Sequence, residues 1–359
     1  MMTTMANYWA ENGWGITLIT LDSVDSDFYK LHPDVKRVAL GLMGGSSNPL
    51  TAIRNNINRI IKLRNEIMSS TPDAVISFMD RMNVLTLLAT RGLTLKVIVS
   101  ERTNPAYHDI GRPWKLLRSI TYPWANVVVA QTDQVRQWLM KVVKRSDVVV
   151  IPNPIHYENE EVGSKLSLAD IGGRNENKRT VIAMGKLGVQ KGFDMLIRAF
   201  AEIARSNPEW KLIIFGEGKE RDALLQLADK LGIAESVYLP GTVKNPMAFL
   251  RQADLFIMSS RCEGFPNALL EAMACGLPVI STDCPSGPRE IIRDGVDGIL
   301  VPPENIDALA EAMDRLMSDE NERKRLAARA PEVLERFGLE KVMGMWEETI
   351  NEILEGKYR

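Results

Sequence analysis

The sequence predicts an α/β protein built from two doubly wound parallel sheets, one per domain. Three observations predict it. Short apolar, β-branched runs alternate with longer helical patterns almost from end to end, the alternation occurs twice, and a polar stretch without periodicity at 156–178 separates the two series. A chain of 359 residues has room for two cores. Its 45% hydrophobic and 25% charged residues are ordinary for a globular protein and unlike a disordered, collagenous or coiled-coil chain.

In the first series the strand runs are 16–21, 35–40, 74–79, 95–100, 127–131 and 148–152, with helical stretches such as 53–69 and 134–143 between them. Ahead of them, residues 1–11 already form an apolar helical pattern that stops at Asn12-Gly13. A doubly wound sheet opens with a strand and a glycine turn, and that strand lies at its centre. The first domain is therefore expected to lack its own centre. Either translation begins upstream or this copy is truncated, and a chain starting at Met1 is expected to have a weakened first domain and low activity. The second series reads 180–184, 210–215, 236–239, 254–258, 278–282 and 298–301. From Pro331 the tail reads as one helical pattern, with Val333, Leu334, Val342, Met345, Trp346, Ile350 and Ile353 at its apolar positions, able to cross back onto the first domain. The expected divisions are 1–155 for the first domain, 156–178 for a linker, 179–330 for the second domain and 331–359 for the returning helix.

Composition narrows the chemistry. Forty-four basic and 46 acidic side chains give a net charge of −2, which removes the global attraction to polyphosphate of a nucleic-acid binder. Cys262, Cys275 and Cys284 form no CxxC pair and read as reduced cytosolic thiols. His32, His108 and His156 lie at no metal spacing from one another or from a cysteine, so no dedicated zinc site is expected; no cofactor is expected either, and acid–base work rests on carboxylates or on one of these histidines. No run approaches the roughly 18 apolar residues of a membrane span, and the start lacks the basic region of a signal peptide. The expected location is the cytoplasm.

The most informative stretch is SSRCEGFPNALLEAMACGLPVI, Ser259 to Ile280. It follows an apolar strand, breaks at Gly264-Phe265-Pro266-Asn267 and then runs as a helix. Glu263 thus falls in a loop at the carboxyl end of a strand, where open α/β sheets bind ligands. Glu271 lies about two turns into the helix on an apolar face, where a carboxylate is expensive unless something polar meets it. The plain alternative is a helix-start carboxylate and a buried structural acid. Met184-Gly185-Lys186-Leu187-Gly188-Val189-Gln190-Lys191-Gly192 follows the first strand of the second domain and opens a helix. Two ammonium groups beside a helix N-terminus make an anion site, against the alternative of a solvated turn. Around Ser286 and Gly287 a small turn runs straight into a helix, so its amides can cradle a phosphate. Phe215-Gly216-Glu217-Gly218 is a GxG after a strand, but Arg221 stands where a dinucleotide fingerprint needs its third glycine. Asp25-Ser26-Asp27 is a DxD triplet read as a solvated loop.

The form EGFPNALLEAMACGLPVI resembles the signature of family-four retaining glycosyltransferases of the GT-B architecture, in which two Rossmann-like domains face a cleft. The resemblance covers the second domain almost completely and the first from its opening helix onward. It implies that Glu263 contacts the donor sugar, that Gly264 and Phe265 border its hydroxyls with Pro266 and Asn267 alongside, and that Glu271 holds the nucleotide ribose. It further implies that Gly185, Lys186 and Lys191 bind the diphosphate, that Ser286 and Gly287 form the phosphate loop, that Gly216 and Gly218 let backbone approach the nucleotide, and that Thr242 and Val243 lie against the base. Family members usually show arginine where Lys186 stands, and a lysine offers no bidentate fork. Many also carry a histidine close behind the strand 95–100; here Glu101 takes that place and His108 comes seven residues later, so either can face the sugar.

The reaction implied is metal-independent transfer of a hexose or N-acetylhexosamine from a nucleotide-diphospho sugar, with UDP as the expected nucleotide, to a saccharide acceptor on polyprenyl diphosphate. Attack on the face the diphosphate leaves is the expected course. Related readings are a sugar-nucleotide epimerase or a glycogen-synthase-like enzyme, and a different class is a two-domain solute-binding protein. In the first domain, Arg112, Lys115 and Arg118 mix with Trp114 and Trp124, while Arg54, Arg59, Lys62 and Arg64 stud another helix. Such helices either lie on anionic lipid or form a solvated basic face over core tryptophans.

Overall fold

In the computed structural model the described residues are 1–24, 29–45, 48–143, 147–155, 167–168, 171 and 178–358. The triplet Asp25-Ser26-Asp27 and most of the expected linker lie outside them. The chain divides into two compact units, Met1–His156 with Glu340–Arg359, and Tyr157–Leu339.

The first unit contains α1 (Met2–Glu11), β1 (Thr17–Thr20), β2 (Lys36–Ala39), α2 (Pro49–Ser70), β3 (Ala74–Phe78), α3 (Asp80–Thr90), β4 (Lys96–Ser100), α4 (Arg112–Thr121), β5 (Val127–Ala130), α5 (Asp133–Val143) and β6 (Val148–Val150). Its strands form two parallel sheets, β1–β2 and β3–β4–β5–β6. β5 reads Val-Val-Val-Ala and is buried throughout, as expected of a parallel strand covered on both faces. Among the described residues no strand bridges β1 and β3, so each is a sheet edge, and β1 is only half-buried along its length. Side chains close the space instead: Ile19, Leu40 and Val75 pack with Leu63 and Ile67 of α2 and Ala89 of α3. The connections from β3 through β6 all step one strand in the same direction, so right-handed crossovers put α3, α4 and α5 in one layer. α3 is nearly all buried there, because α2 and α4 pack on its flanks.

The second unit contains β7 (Arg179–Met184), α6 (Phe193–Ile203), β8 (Trp210–Phe215), α7 (Arg221–Lys230), β9 (Val237–Gly241), α8 (Pro246–Leu250), β10 (Leu255–Met258), α9 (Asn267–Ala274), β11 (Val279–Thr282), α10 (Pro288–Ile291), β12 (Ile299–Val301), α11 (Ile306–Ser318), α12 (Glu320–Arg329) and α13 (Val333–Phe337). One parallel sheet runs β12-β11-β10-β7-β8-β9. The chain winds outward from β7 to β9, then returns to the other side of β7 as β10. That reversal parts the loops after β7 and β10 at the carboxyl edge, the place where doubly wound sheets bind ligands.

The tail differs from the single helical pattern expected from Pro331. It breaks at Gly338, whose ψ of 154 is extended, into α13 and a separate α14 (Leu339–Leu354). Trp346 of α14 is fully buried in the first unit, 6.0 Å from the Phe78 ring, with the Arg102 guanidinium over both rings.

Candidate active site

The loops after β7, β10 and β11 meet at Glu263. Past Met184 the chain turns through Gly185 and Lys186 into a 3-10 turn, Val189–Lys191, and then α6. The loop after β10 is stitched to it: the Arg261 amide donates to Gln190 O at 2.8 Å, Gln190 Nε2 to Cys262 O at 2.8 Å, and Ser259 Oγ to Lys191 O at 3.0 Å. The Arg261 guanidinium forks onto both Asp194 oxygens at 2.8 Å, and that bond holds the Asp194 carboxyl below its ordinary range. Lys191 Nζ lies 2.7 Å from Glu263 Oε1, and Ser260 Oγ donates to the same oxygen at 2.5 Å. Glu263 is only 7% exposed, so these partners are what make its burial tolerable. Its amide donates to Pro285 O at 2.8 Å, and its carbonyl accepts from Ser286 N at 3.1 Å. Three segments that are far apart in sequence thus converge on one carboxylate.

The other expected residues surround this centre in different ways. Gly216 and Gly218 follow β8; a Cβ on Gly216 would lie 1.8 Å from Gly185 O, and one on Gly218 2.1 Å from Leu187 O. What the pair closely approaches is therefore the neighbouring lysine loop. Lys186 is exposed and, among the described residues, has no ion-pair partner. Glu271 points from α9, and burial pushes its carboxyl up to about 7. Gly264 is half-buried, Phe265 packs 5.7 Å from the Phe337 ring, Pro266 is buried, and Asn267 starts α9 exposed. Ser286 is buried, and Gly287, at φ 105, leads into α10. Thr242 is exposed after β9, with Val243 half-buried beside it. Sequence reasoning missed Ser260, Arg261 and Asp194. Arg261 stands two residues before Glu263, but nothing in the sequence pairs it with Asp194, 67 residues away.

In the first unit, Glu101 follows β4 and is fully buried. Tyr122 Oη donates to its Oε1 at 2.5 Å, Arg118 Nη1 lies 3.5 Å from the same oxygen, and Asn83 Nδ2 donates to Tyr122 Oη at 3.1 Å. Burial pushes the Glu101 carboxyl up to about 7, against the pull of Arg118 and Tyr122. Arg118 departs from the basic surface expected of it: at 2% exposure it has turned inward to this carboxylate. His108 is the accessible candidate, half exposed, with Nε2 3.3 Å from Asp80 Oδ2.

Comparison with known proteins identifies the family. Residues 1–159 match the model described as Glycosyltransferase Family 4, and residues 164–333 the one described as Glycosyl transferases group 1. An uncharacterized glycosyltransferase of Methanocaldococcus jannaschii is 31% identical, covering 84% of this chain and 84% of that protein. The Campylobacter jejuni enzyme named GalNAc-alpha-(1->4)-GalNAc-alpha-(1->3)-diNAcBac-PP-undecaprenol alpha-1,4-N-acetyl-D-galactosaminyltransferase is 28% identical, covering 91% of this chain and 87% of its own. The crystal structure of Anabaena HepE with UDP and glucose superposes with a TM-score of 0.78 at 17% identity, covering 98% and 95% of the two chains. Fold and relatives together define a glycosyltransferase of the GT-B architecture. Within that class, the chain belongs to glycosyltransferase family four.

Proposed function

We propose that this enzyme moves a hexose or N-acetylhexosamine from a UDP-linked donor to a saccharide carried on polyprenyl diphosphate, with retention at the anomeric carbon and without a metal ion, in the assembly of surface glycans. The carrying observation is the Lys191–Glu263 pair at the strand reversal of the second unit. A donor diphosphate takes Lys191 and the free Lys186 as counter-charges, beside the amides at the start of α6. Released from Lys191, Glu263 accepts hydrogen bonds from sugar hydroxyls while Ser260 still holds it. Both lysines favour the charge that develops as the diphosphate departs. Glu271 receives the ribose hydroxyls, which replace the polar contact its burial removed. The acceptor, held by the first unit, attacks on the face the diphosphate leaves. The acceptor class rests on the similarity to the Campylobacter enzyme, whose name specifies an undecaprenyl-diphosphate glycan.

Isothermal titration with UDP, GDP and ADP tests the donor. UDP binding is expected, with affinity reduced in Glu271→Ala and turnover reduced more than affinity in Lys191→Ala. Failure of all three nucleotides to bind, or two silent variants, overturns the reading, and a trapped covalent sugar–enzyme adduct overturns the same-face course.

The work is placed in the cytoplasm, at the inner face of the membrane. No helix among the described residues is long and apolar enough to cross a membrane. The support is a two-helix surface instead. On α2, Leu50, Ile53, Ile57 and Ile61 recur at helical spacing and are all exposed, with Arg54 and Lys62 beside them and one acidic residue, Glu66, on the whole helix. On α4, Leu116 and Ile120 are exposed beside Arg112 and Lys115, and the helix has no acidic residue. Apolar side chains edged by cations in a chain of net charge −2 match an anionic lipid surface.

A further inference from the structure

At the carboxyl ends of β3 and β4 lie two buried carboxylate oxygens, Asp80 Oδ2 and Glu101 Oε2, that accept no hydrogen bond among the described residues, and the first of them faces a histidine. Met79, the residue between β3 and α3, has φ 75 and ψ 142, a conformation L-residues rarely adopt and one held at functional sites more often than elsewhere. Its turn carries Asp80, 5% exposed, beneath the loop that follows β4. Asp80 Oδ1 accepts from the Arg81 amide at 2.6 Å, and the first turn of α3 favours the anion. Asp80 Oδ2 is buried and, among the described residues, accepts no hydrogen bond, while His108 Nε2 lies 3.3 Å from it. The His108 side chain is half exposed.

We propose that Asp80 is a positioning residue for His108. By facing Nε2 it favours the tautomer with the proton on that nitrogen, which leaves the Nδ1 lone pair to accept a hydrogen bond from a saccharide hydroxyl of the acceptor. In the buried carboxylate next to it, Glu101, Oε1 is committed to Tyr122 and Arg118 and Oε2 is buried without a hydrogen bond among the described residues, while the nearby surface charges Asp109 and Lys115 are paired with each other at 2.9 Å. Asp80 Oδ2 thus has His108 as its neighbour, and the half-exposed His108 side chain leaves room for a ligand. The acceptor part of this proposal rests on the transferase reading above, whereas the tautomer part does not.

The chain has only three histidines, so 15N-histidine labelling resolves the ring of His108 once His108→Ala identifies its signals. In the wild type the expected spectrum at neutral pH is that of the Nε2-protonated tautomer; in Asp80→Asn it becomes mixed, and Asp80→Glu restores it. With a short-chain polyprenyl-diphosphate N-acetylhexosamine as acceptor probe, Asp80→Asn and His108→Ala should each raise the acceptor KM about tenfold, as loss of one hydrogen bond in such a pair does. The double variant should lose little more than either alone, because both act through one contact. UDP affinity in the second unit should stay unchanged. An unaltered tautomer in Asp80→Asn, or additive losses in the double variant, overturns the proposal. A wild type that binds no UDP and turns over no donor refutes the transferase reading and leaves the tautomer test standing.

Discussion

Glu271, the carboxylate proposed to receive the ribose, is kept at a cost to the free protein. Its ordinary value is 4.5, and burial pushes it up to about 7. An acid raised in this way stays protonated in the folded chain between those two values while the unfolded chain has already ionised, so stability falls as pH rises through that window. Above it, the charge remains a burden of roughly 1–3 kcal/mol. Glu271→Gln should therefore raise the melting temperature at pH 8 and leave it nearly unchanged at pH 5, read by differential scanning fluorimetry, while weakening UDP binding at both. Equal gains at the two pH values would contradict the burial argument. Glu263 solves the same problem differently: Lys191 and Ser260 both contact its Oε1 in the free chain.

At the scale of elements, the proposed donor site is made of loops pressed together. The turn after β8 fits against the lysine loop because Gly216 has no side chain, and what it meets is backbone, which has little freedom to yield. Gly216→Ala should cost about 1–3 kcal/mol in urea denaturation and reduce UDP affinity. Gly188→Ala, in the same lysine loop but facing open space, should do neither. Much of this level was legible beforehand. Strands such as β5 and β8 are covered on both faces and so read as continuous apolar runs, and the Glu263 loop announced itself by following one of them. α3 was harder to read, since a helix buried on every side carries no stripe to give its period. The inward turn of Arg118 was invisible because its partner, Glu101, lies 17 residues away, and so was the pairing of Asp80 with His108. The break at Gly338 passed unnoticed because the apolar spacing continues on both sides of it.

For the whole molecule, the membrane docking proposed for the apolar and basic ridges of α2 and α4 is read by vesicle binding. Flotation with phosphatidylcholine vesicles containing anionic phosphatidylglycerol should recover the protein, neutral vesicles should recover much less, and added salt should weaken the attachment. Replacing Ile53 and Ile57 with aspartate should lower vesicle binding about tenfold or more while UDP affinity holds. Equal binding to neutral and anionic vesicles would remove lipid charge from the account.

The divided sheet of the first unit has a mechanical consequence. Hydrogen-bond ladders knit β3 to β6 into one block and β1 to β2 into another, and between the blocks lie only side-chain contacts such as those of Ile19, Leu40 and Val75 among the described residues. A hydrogen-bond ladder resists local opening more than side-chain packing does, so in hydrogen exchange the amides of β1 and β2 are expected to open before those of the layer that holds Asp80 and His108.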